Sequence, residues 1–219
     1  MAIILNIETA TKNCSVSIAN AGKTLVCKEI AEQHFSHAEK LHLFIDEICK
    51  ESQITLKELS AVAVSQGPGS YTGLRIGVSA AKGFCYALSI PLIAVDTLLL
   101  LAKKVRVEQG VIIPMIDARR MEVYTACFDS NYLKIRNTDA EIVDANSYQE
   151  INGPIHLVGD GAMKFQSILT ASKFHFYPEI EFPSANEMSA ISFEKYENKD
   201  FVDLAYFEPF YLKDFVLNR

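Results

Sequence analysis

The same order of predicted strands and helices occurs twice in this chain of 219 residues, and that repetition constrains the fold more than any single motif. Each half begins with three short strands joined by tight turns and continues with alternating helices and strands. Strands joined by short turns pair antiparallel, whereas a strand–helix–strand unit requires parallel pairing with its helix against the sheet. The sequence therefore predicts an α/β fold of two related subdomains, each with a mixed sheet flanked by helices.

The first half shows the pattern most clearly. Its strands are short apolar runs or alternate between apolar and polar residues, and its long helices carry apolar residues at helical spacing. The predicted strands are Ala2–Ile7, Cys14–Ala19, Thr24–Ile30, Ala61–Val64 and Leu92–Val95. The predicted helices are Phe35–Glu51, Thr72–Leu88 and one from Asp96 or Thr97 through Lys104.

The second half repeats this order with weaker helices. The predicted strands are Gly110–Ile116, Glu122–Phe128, Tyr132–Arg136, Ile155–Val158 and Phe174–Tyr177. The predicted helices are a weak one at Asn146–Ile151, one that follows Gly159-Asp160-Gly161 through Leu169, and one from Ser184, where Glu187 completes a capping box. We place the boundary near Glu108–Gly110. The subdomains are then residues 1–108 and a smaller 109–219, whose final segment is free to pack back on the first.

Composition excludes several classes of protein. The net charge of −6 and the two short basic clusters do not indicate direct RNA binding, which usually requires an extended basic surface. Five cysteines without a C-x-x-C motif fit a reducing compartment. The segment Met1–Asn6 lacks the features of a secretion signal, and no apolar run is long enough to cross a membrane. We therefore expect a cytoplasmic protein without a membrane span.

The strongest local motif is a glycine loop that links a buried strand to a helix. Backbone N–H groups at the start of a helix attract anions, so Gly67, Gly69, Ser70 and Thr72 are candidates for a phosphate loop. The alternative is a tight strand-to-helix turn in which Ser70 or Thr72 caps the helix. No lysine follows the last glycine, so the loop is not a Walker A motif.

Three other places could carry chemistry, and each has a structural alternative. Glu8 could hold Mg²⁺ through water or be a solvated turn residue. His34, His37 and His42 could bind zinc, although their spacing favours histidines at a helix start. The segment Asp117–Tyr124 could hold a catalytic dyad, but a turn closed by the Asp117 side chain is favoured.

The helix Thr72–Leu88 is apolar around more of its circumference than one sheet requires. Small residues occupy one face and larger apolar residues a neighbouring one. The excess must be covered either by another element of the same chain or by a second protein.

Five segments, in order along nearly the whole chain, resemble the TsaB (YeaZ) family of proteins for threonylcarbamoyladenosine formation in tRNA. They are Ile4–Ser17, Ser65–Gly77, Asp117–Asp129, Val158–Ala162 and Glu208–Phe215.

The resemblance implies the actin/Hsp-like ATPase (ribonuclease H-like) fold. It also implies a non-catalytic subunit that forms a heterodimer with the catalytic subunit TsaD, supports binding of the ATPase TsaE and reaches tRNA indirectly. TsaD transfers the threonylcarbamoyl group to the adenosine next to the anticodon. We expect no metal and no cofactor in the isolated chain, ATP or ADP only in the partner complex, and a possible homodimer when the partner is absent.

The resemblance also separates this chain from its catalytic relative. The two histidines of the metal-binding H-x-x-x-H motif of TsaD fall at Thr97 and Leu101 here. Thr is a poor metal ligand and Leu is none. Glu8 stands where Asp is more usual, which disfavours binding of Mg²⁺ and nucleotide. The alternatives are a metallopeptidase-like enzyme (a glycoprotease) or a small-molecule kinase of the same fold class.

The resemblance and the wide apolar face predict the same partner interface. Two helices from each subunit would form a four-helix bundle. The residues predicted for the interface are Leu41, Phe44, Ile45, Ile48, Gly73, Gly77, Ala80 and Phe84.

Overall fold

The computed structural model describes residues 2–31 and 37–213, which form two compact units. The first unit contains the described residues up to Thr97 and those from Ser184 onward, and the second is Leu98–Pro183. Within the described residues, no helix has the length and apolar character needed to span a membrane.

The first unit contains a five-stranded mixed sheet. Its strands are β1 (Ile3–Glu8), β2 (Asn13–Asn20), β3 (Lys23–Ala31), β4 (Ala61–Gly67) and β5 (Leu92–Asp96), in the order β3-β2-β1-β4-β5. The first three strands form an antiparallel meander, and β4 and β5 add to it in parallel. The predicted meander and the predicted parallel additions are both confirmed.

In the described part of the chain, four α-helices accompany the strands: α1 (His37–Ser52), α2 (Tyr71–Leu88), α3 (Thr97–Ala102) and α4 (Met188–Glu197). Side chains alternate across a strand, so β1 presents Leu5 and Ile7 to one side and Asn6 and Glu8 to the other. The apolar side packs against α1 and α2. The polar side is covered by the chain around Ala185, whose carbonyl oxygen accepts a 2.8 Å hydrogen bond from Ser17 Oγ.

The second unit repeats the sheet of the first. Its strands are β6 (Val111–Asp117), β7 (Glu122–Asp129), β8 (Lys134–Ile142), β9 (Ile155–Val158) and β10 (Phe174–Tyr177), in the order β10-β9-β6-β7-β8. β6, β7 and β8 are antiparallel neighbours, and β9 and β10 extend the sheet in parallel from β6. The five strands thus have the connectivity of β1 to β5, which confirms the predicted duplication.

The division between the units falls earlier than the boundary drawn near Glu108–Gly110. Leu98, Leu101 and Val105 are buried with Ile112 and Ile116 in one hydrophobic core of the second unit. The chain therefore joins the second unit directly after β5.

Three helix predictions are wrong. Residues 145–150 form turns, because the Asp144 carboxylate accepts the backbone N–H of Asn146 and competes with a helix. After Gly161, only a short 3₁₀ helix forms, Ala162–Phe165. Ser184 does not begin the last helix, since its Oγ lies 3.2 Å from Ser15 Oγ and α4 starts at Met188.

Two element boundaries also differ from those predicted. β8 runs on to Ile142, and α3 ends at Ala102. The start predicted for α1 at Phe35 lies outside the described residues.

Candidate functional site

The glycine loop lies between the end of β4 and the start of α2. Ser70 is the N-cap of α2, and its Oγ accepts a 3.3 Å hydrogen bond from the backbone N–H of Gly73. This is the tight strand-to-helix turn that the sequence offered as an alternative, with Ser70 rather than Thr72 as the cap.

The turn between β1 and β2 fills the space beside this loop. The backbone N–H of Ser70 donates to the carbonyl oxygen of Ala10 at 2.6 Å, and Thr9 Oγ1 donates to the carbonyl oxygen of Gly73 at 2.8 Å. A β-carbon on Gly69 would collide with the same Ala10 oxygen. Glycine is therefore required here so that two segments of backbone can approach each other.

The C-terminal segment also crosses the loop. The backbone N–H of Phe210 donates to the carbonyl oxygen of Gln66 at 2.7 Å. Gly67 has a φ of +114°, and a β-carbon there would lie 2.6 Å from the carbonyl oxygen of Phe210. The Gly67 N–H donates to Thr97 Oγ1 at 3.1 Å. The N–H groups of Gly67, Ser70 and Gly73 thus already have acceptors within the chain, and phosphate binding at this loop stays a prediction.

Glu8 is fully buried, so the expectation of a solvated turn residue is wrong. Its Oε1 accepts a 2.6 Å hydrogen bond from the backbone N–H of Ala10. Burial raises the pKa of the Glu8 carboxyl to about 7, against this hydrogen bond, which favours the ionised form. The Glu8 carboxyl is shielded from solvent, so it offers no exposed oxygen to a hydrated Mg²⁺ ion.

The histidines do not form a metal site in the described part of the chain. His37 is buried, and its Nε2 donates to the carbonyl oxygen of Thr11 at 2.7 Å. Desolvation lowers the pKa of this imidazole. His42 is exposed, with its ring centroid 5.9 Å from that of Phe84, and His34 lies outside the described residues. Nowhere in residues 2–31 and 37–213 do three histidine, cysteine or acidic side chains come together as a potential metal site.

The two positions at which the resemblance implies metal ligands in TsaD, Thr97 and Leu101, serve the packing of this chain. Thr97 is fully buried, and its hydroxyl is the acceptor for Gly67. Leu101 is fully buried in the core of the second unit, where its side chain lies beside Gly159. Neither position can be converted to a metal ligand without loss of these contacts.

The segment Asp117–Tyr124 forms the turn that the sequence favoured. Asp117 Oδ1 accepts the backbone N–H of Arg119 at 2.7 Å and forms an ion pair with Lys164. The carboxylate is therefore engaged in holding the turn, which leaves the hypothesis of a catalytic dyad without geometric support.

The predicted interface residues do not all lie on the surface. Leu41, Ile45 and Ile48 are in the hydrophobic core of the first unit, because they are the residues with which α1 packs on the sheet. Gly73 and Gly77 are buried against Thr9. These five assignments are corrected.

Phe44, Ala80 and Phe84 are partly exposed and remain candidates. Two further residues of these helices are exposed, Leu43 at 48% and Gly83, which has no atom within 4 Å of a β-carbon position. We call Leu43, Ala80, Gly83, Phe84 and Ala87 the outer helical face. The small residues of α2 indicate a helix surface that another helix could approach, but the sequence does not show which of its glycines face the sheet.

Two mixed sheets with the same strand order, flanked by helices, define an α/β protein with the actin/Hsp-like ATPase fold. Residues 25–212 match the family model described as TsaD, tRNA N6-adenosine threonylcarbamoyltransferase. The tRNA threonylcarbamoyladenosine biosynthesis protein TsaB of Escherichia coli (strain K12) is 30% identical and covers 96% of this chain and 94% of its own length. TsaB of Bacillus subtilis (strain 168) is 34% identical over 57% of this chain and 54% of its own length.

The solved structure of YeaZ from Pseudomonas aeruginosa shows the same fold. It matches with a TM-score of 0.85 at 22% identity and covers 97% of this chain and 100% of that chain. The chain belongs to the TsaB family of tRNA threonylcarbamoyladenosine biosynthesis proteins. The resemblance noted from the sequence is thereby confirmed.

Proposed function

We propose that this TsaB-family chain is a non-catalytic subunit of the complex that forms threonylcarbamoyladenosine in tRNA, and that it pairs with a TsaD-like catalytic subunit. The proposal rests mainly on the structural roles of Thr97 and Leu101. The hydroxyl of Thr97 holds the glycine loop, and Leu101 is part of a hydrophobic core. In TsaD, by the resemblance, these positions supply the histidines that bind the catalytic metal.

The outer helical face is the surface that we assign to the partner. Leu43 is exposed on α1, and the ring of the preceding residue, His42, contacts Phe84 of α2, so the two helices lie side by side at the surface. Ala80, Gly83 and Ala87 recur at helical spacing on α2, and such small residues permit close approach of another helix. Two helices from each subunit would bury these side chains in a four-helix bundle.

We extend the proposal to the wider assembly that the resemblance implies. A TsaE-like ATPase joins the pair, and ATP or ADP binds in the assembled complex rather than to this chain alone. tRNA is bound chiefly by the partner, and the work takes place in the cytoplasm. When the catalytic subunit is absent, the outer helical face can pair with its copy in a second chain as an isologous dimer.

A pull-down with the TsaD-like subunit tests the interface. Gly83→Arg places a charge on the outer helical face without a clash inside the chain, because nothing lies within 4 Å of that β-carbon position. We expect this variant to melt no lower than the wild type and to lose the partner. Ala145→Arg, at an exposed turn residue of the second unit, is the matched control and should bind normally. Normal binding by a folded Gly83→Arg variant would place the interface elsewhere.

An activity assay tests the non-catalytic role. We expect that modification of tRNA by the catalytic subunit depends on this chain, and that the purified chain has neither peptidase nor small-molecule kinase activity. Peptidase turnover that a chelator abolishes would support the metallopeptidase alternative and contradict the proposal.

A further inference from the structure

The turn between β6 and β7 holds two adjacent arginines in an unfavourable backbone conformation. Arg119 has a φ of +73° and Arg120 a φ of +52°. Among residues 2–31 and 37–213, no other two consecutive residues with a β-carbon both have a positive φ. Glycine or asparagine is the usual solution at such positions, because a β-carbon is crowded by the backbone there. We call residues 118–121 the arginine turn.

A lysine from a distant segment keeps the turn in this conformation. Lys164 Nζ donates to the carbonyl oxygen of Arg120 at 2.9 Å and to that of Glu122 at 3.3 Å, and it forms an ion pair with Asp117. The Lys164 side chain is only 22% exposed, so it lies beneath the turn that it supports. The backbone N–H of Asp117 is held in turn by Asp160 Oδ1 at 2.9 Å.

Neither guanidinium gains a contact from this arrangement. Both arginines are exposed, and within the described residues their side chains make no hydrogen bond, ion pair or ring contact. The nearest carboxylate in sequence, that of Asp117, is already paired with Lys164. Arg75 and Arg136, in contrast, bond to Tyr211 and Glu141. A strained conformation that is actively held but yields no internal contact points to a function outside the chain.

We infer that Arg119 and Arg120 contact phosphodiester groups of the RNA substrate. This inference rests on the proposed function, which brings RNA to the complex. A guanidinium donates two parallel hydrogen bonds to one phosphate, and exposed arginines at the tip of a turn can reach a nucleic-acid backbone. Since the chain carries a net charge of −6, the two contacts would position RNA that the partner already binds. An acidic protein surface is the competing ligand, and the test separates the two.

The experiment measures tRNA affinity of the complex with the TsaD-like subunit as a function of salt concentration. For the double variant Arg119→Ala/Arg120→Ala, we expect affinity to fall about tenfold. The plot of log K against log salt should become less steep by roughly 1.5, the value for two lost phosphate contacts. Arg106→Ala removes one positive charge, half of what the double variant removes, from another exposed arginine of the second unit and should leave both quantities nearly unchanged.

Two further variants separate a loss of charge from a loss of structure. Arg119→Lys/Arg120→Lys keeps both charges and should keep the salt dependence. Arg119→Gly/Arg120→Gly relieves the backbone strain of the two positive φ angles, so the melting temperature of this variant should not fall. Its affinity for tRNA should fall as in the alanine variant. Unchanged affinity and salt dependence in the alanine and glycine variants would overturn the inference. The inference would also be overturned if these variants no longer bound the TsaD-like subunit, or an acidic partner protein, while their affinity for tRNA stayed unchanged.

The proposed function and this inference fail in different ways. If the wild-type chain neither co-elutes with the catalytic subunit nor supports modification, the proposed function is wrong and the inference falls with it. If assembly and modification are normal and only the variant's tRNA affinity is unchanged, the inference alone is wrong.

Discussion

Gly77 of α2 lies so close to Thr9 that a β-carbon at position 77 would collide with Thr9 Oγ1. Gly73, one turn earlier, stands in the same relationship to the carbonyl oxygen of Thr9. The two glycines therefore let the helix approach the turn that follows β1. They face the sheet, so the small residues of α2 belong to two different surfaces.

This placement predicts opposite effects for the same substitution at two glycines of one helix. Gly77→Ala should lower the free energy of unfolding by about 1–3 kcal/mol, because the new methyl group overpacks a buried contact. Gly83→Ala should raise it by about 0.5–1 kcal/mol, since glycine in an exposed helix interior is the less favourable residue. Urea denaturation of the isolated chain checks both values. A stabilised Gly77→Ala variant would show that α2 does not pack on Thr9 in this way.

The buried carboxyl of Glu8 predicts a dependence of stability on pH. Its folded pKa is about 7 and its ordinary value is 4.5. Below pH 4.5 the group is protonated in both states and costs nothing. As pH rises towards 7, the unfolded chain releases the proton while the folded chain retains it, so stability is lost over that window. Above pH 7 the loss is complete and amounts to about 3 kcal/mol.

Glu8→Gln removes this titration and keeps an acceptor for the Ala10 N–H. The variant should therefore gain stability relative to the wild type between pH 5 and pH 8. Other groups titrate equally in both proteins and cancel in the difference. Chemical denaturation at several pH values gives that difference, and a value that does not change with pH would mean that Glu8 is not shielded from solvent.

The contacts of Lys164 with the arginine turn predict a second difference in stability. Lys164→Met removes one donor from each of three acceptors, namely Asp117 Oδ1 and the carbonyl oxygens of Arg120 and Glu122. Asp117 Oδ1 and the Glu122 oxygen each keep a backbone N–H donor, from Arg119 and Ala118. We expect a loss of about 1–3 kcal/mol in the free energy of unfolding. The matched control is Lys195→Met, which removes a surface ion pair with Asp200 and should cost less than about 1 kcal/mol. Equal losses in the two variants would argue that Lys164 is an ordinary surface lysine.

Cysteine reactivity tests the two hydrophobic cores independently. Burial raises the pKa of the thiols of Cys14, Cys85 and Cys127 to about 11, and all three side chains are buried. Because the thiolate is the reactive form, these residues should resist alkylation by iodoacetamide at pH 8 until the chain unfolds. Cys27 and Cys49 are partly exposed and should react first. Peptide mass spectrometry after a short labelling pulse reports each site, and early labelling of Cys14 would show that the first sheet opens readily.

The sequence predicted the duplicated fold because alternation and helical spacing are local signals. It could not show which surface a helix residue occupies. Ile45 and Ile48 lie on the apolar stripe that the spacing identifies, yet that stripe faces the sheet, and Leu43 among charged residues is the exposed one. The contacts that determine which surfaces are buried join residues far apart in the chain. Ser17, beside Asn6 on the polar side of the sheet, bonds to Ala185, and no local pattern around Glu8 indicates that this side is covered.

The helices that were predicted in error have a related explanation. Residues 145–150 and the segment after Gly161 have enough polar and apolar residues to suggest a turn of helix. Their backbone N–H groups find acceptors elsewhere, such as Asp144 for Asn146 and the carbonyl oxygen of Met115 for Gly161. Met115 lies on a neighbouring strand that a single window of sequence does not contain, whereas Asp144 is only two residues from Asn146.

The glycine loop and Glu8 together predict weak nucleotide binding by the isolated chain. A nucleotide site of this fold class needs free N–H groups for phosphate and an ionised carboxylate near the metal. Here Ser70 donates to Ala10, Gly67 donates to Thr97, and Glu8 is buried with a raised pKa. Calorimetry with ATP and Mg²⁺ should detect no binding tighter than about 0.1 mM, or roughly −5.5 kcal/mol. The same titration is repeated with the assembled complex. Tighter binding there would show that the nucleotide site requires the partner. A micromolar ATP complex of the isolated chain would mean that the β1–β2 turn can leave the loop, and the two segments would then have to separate.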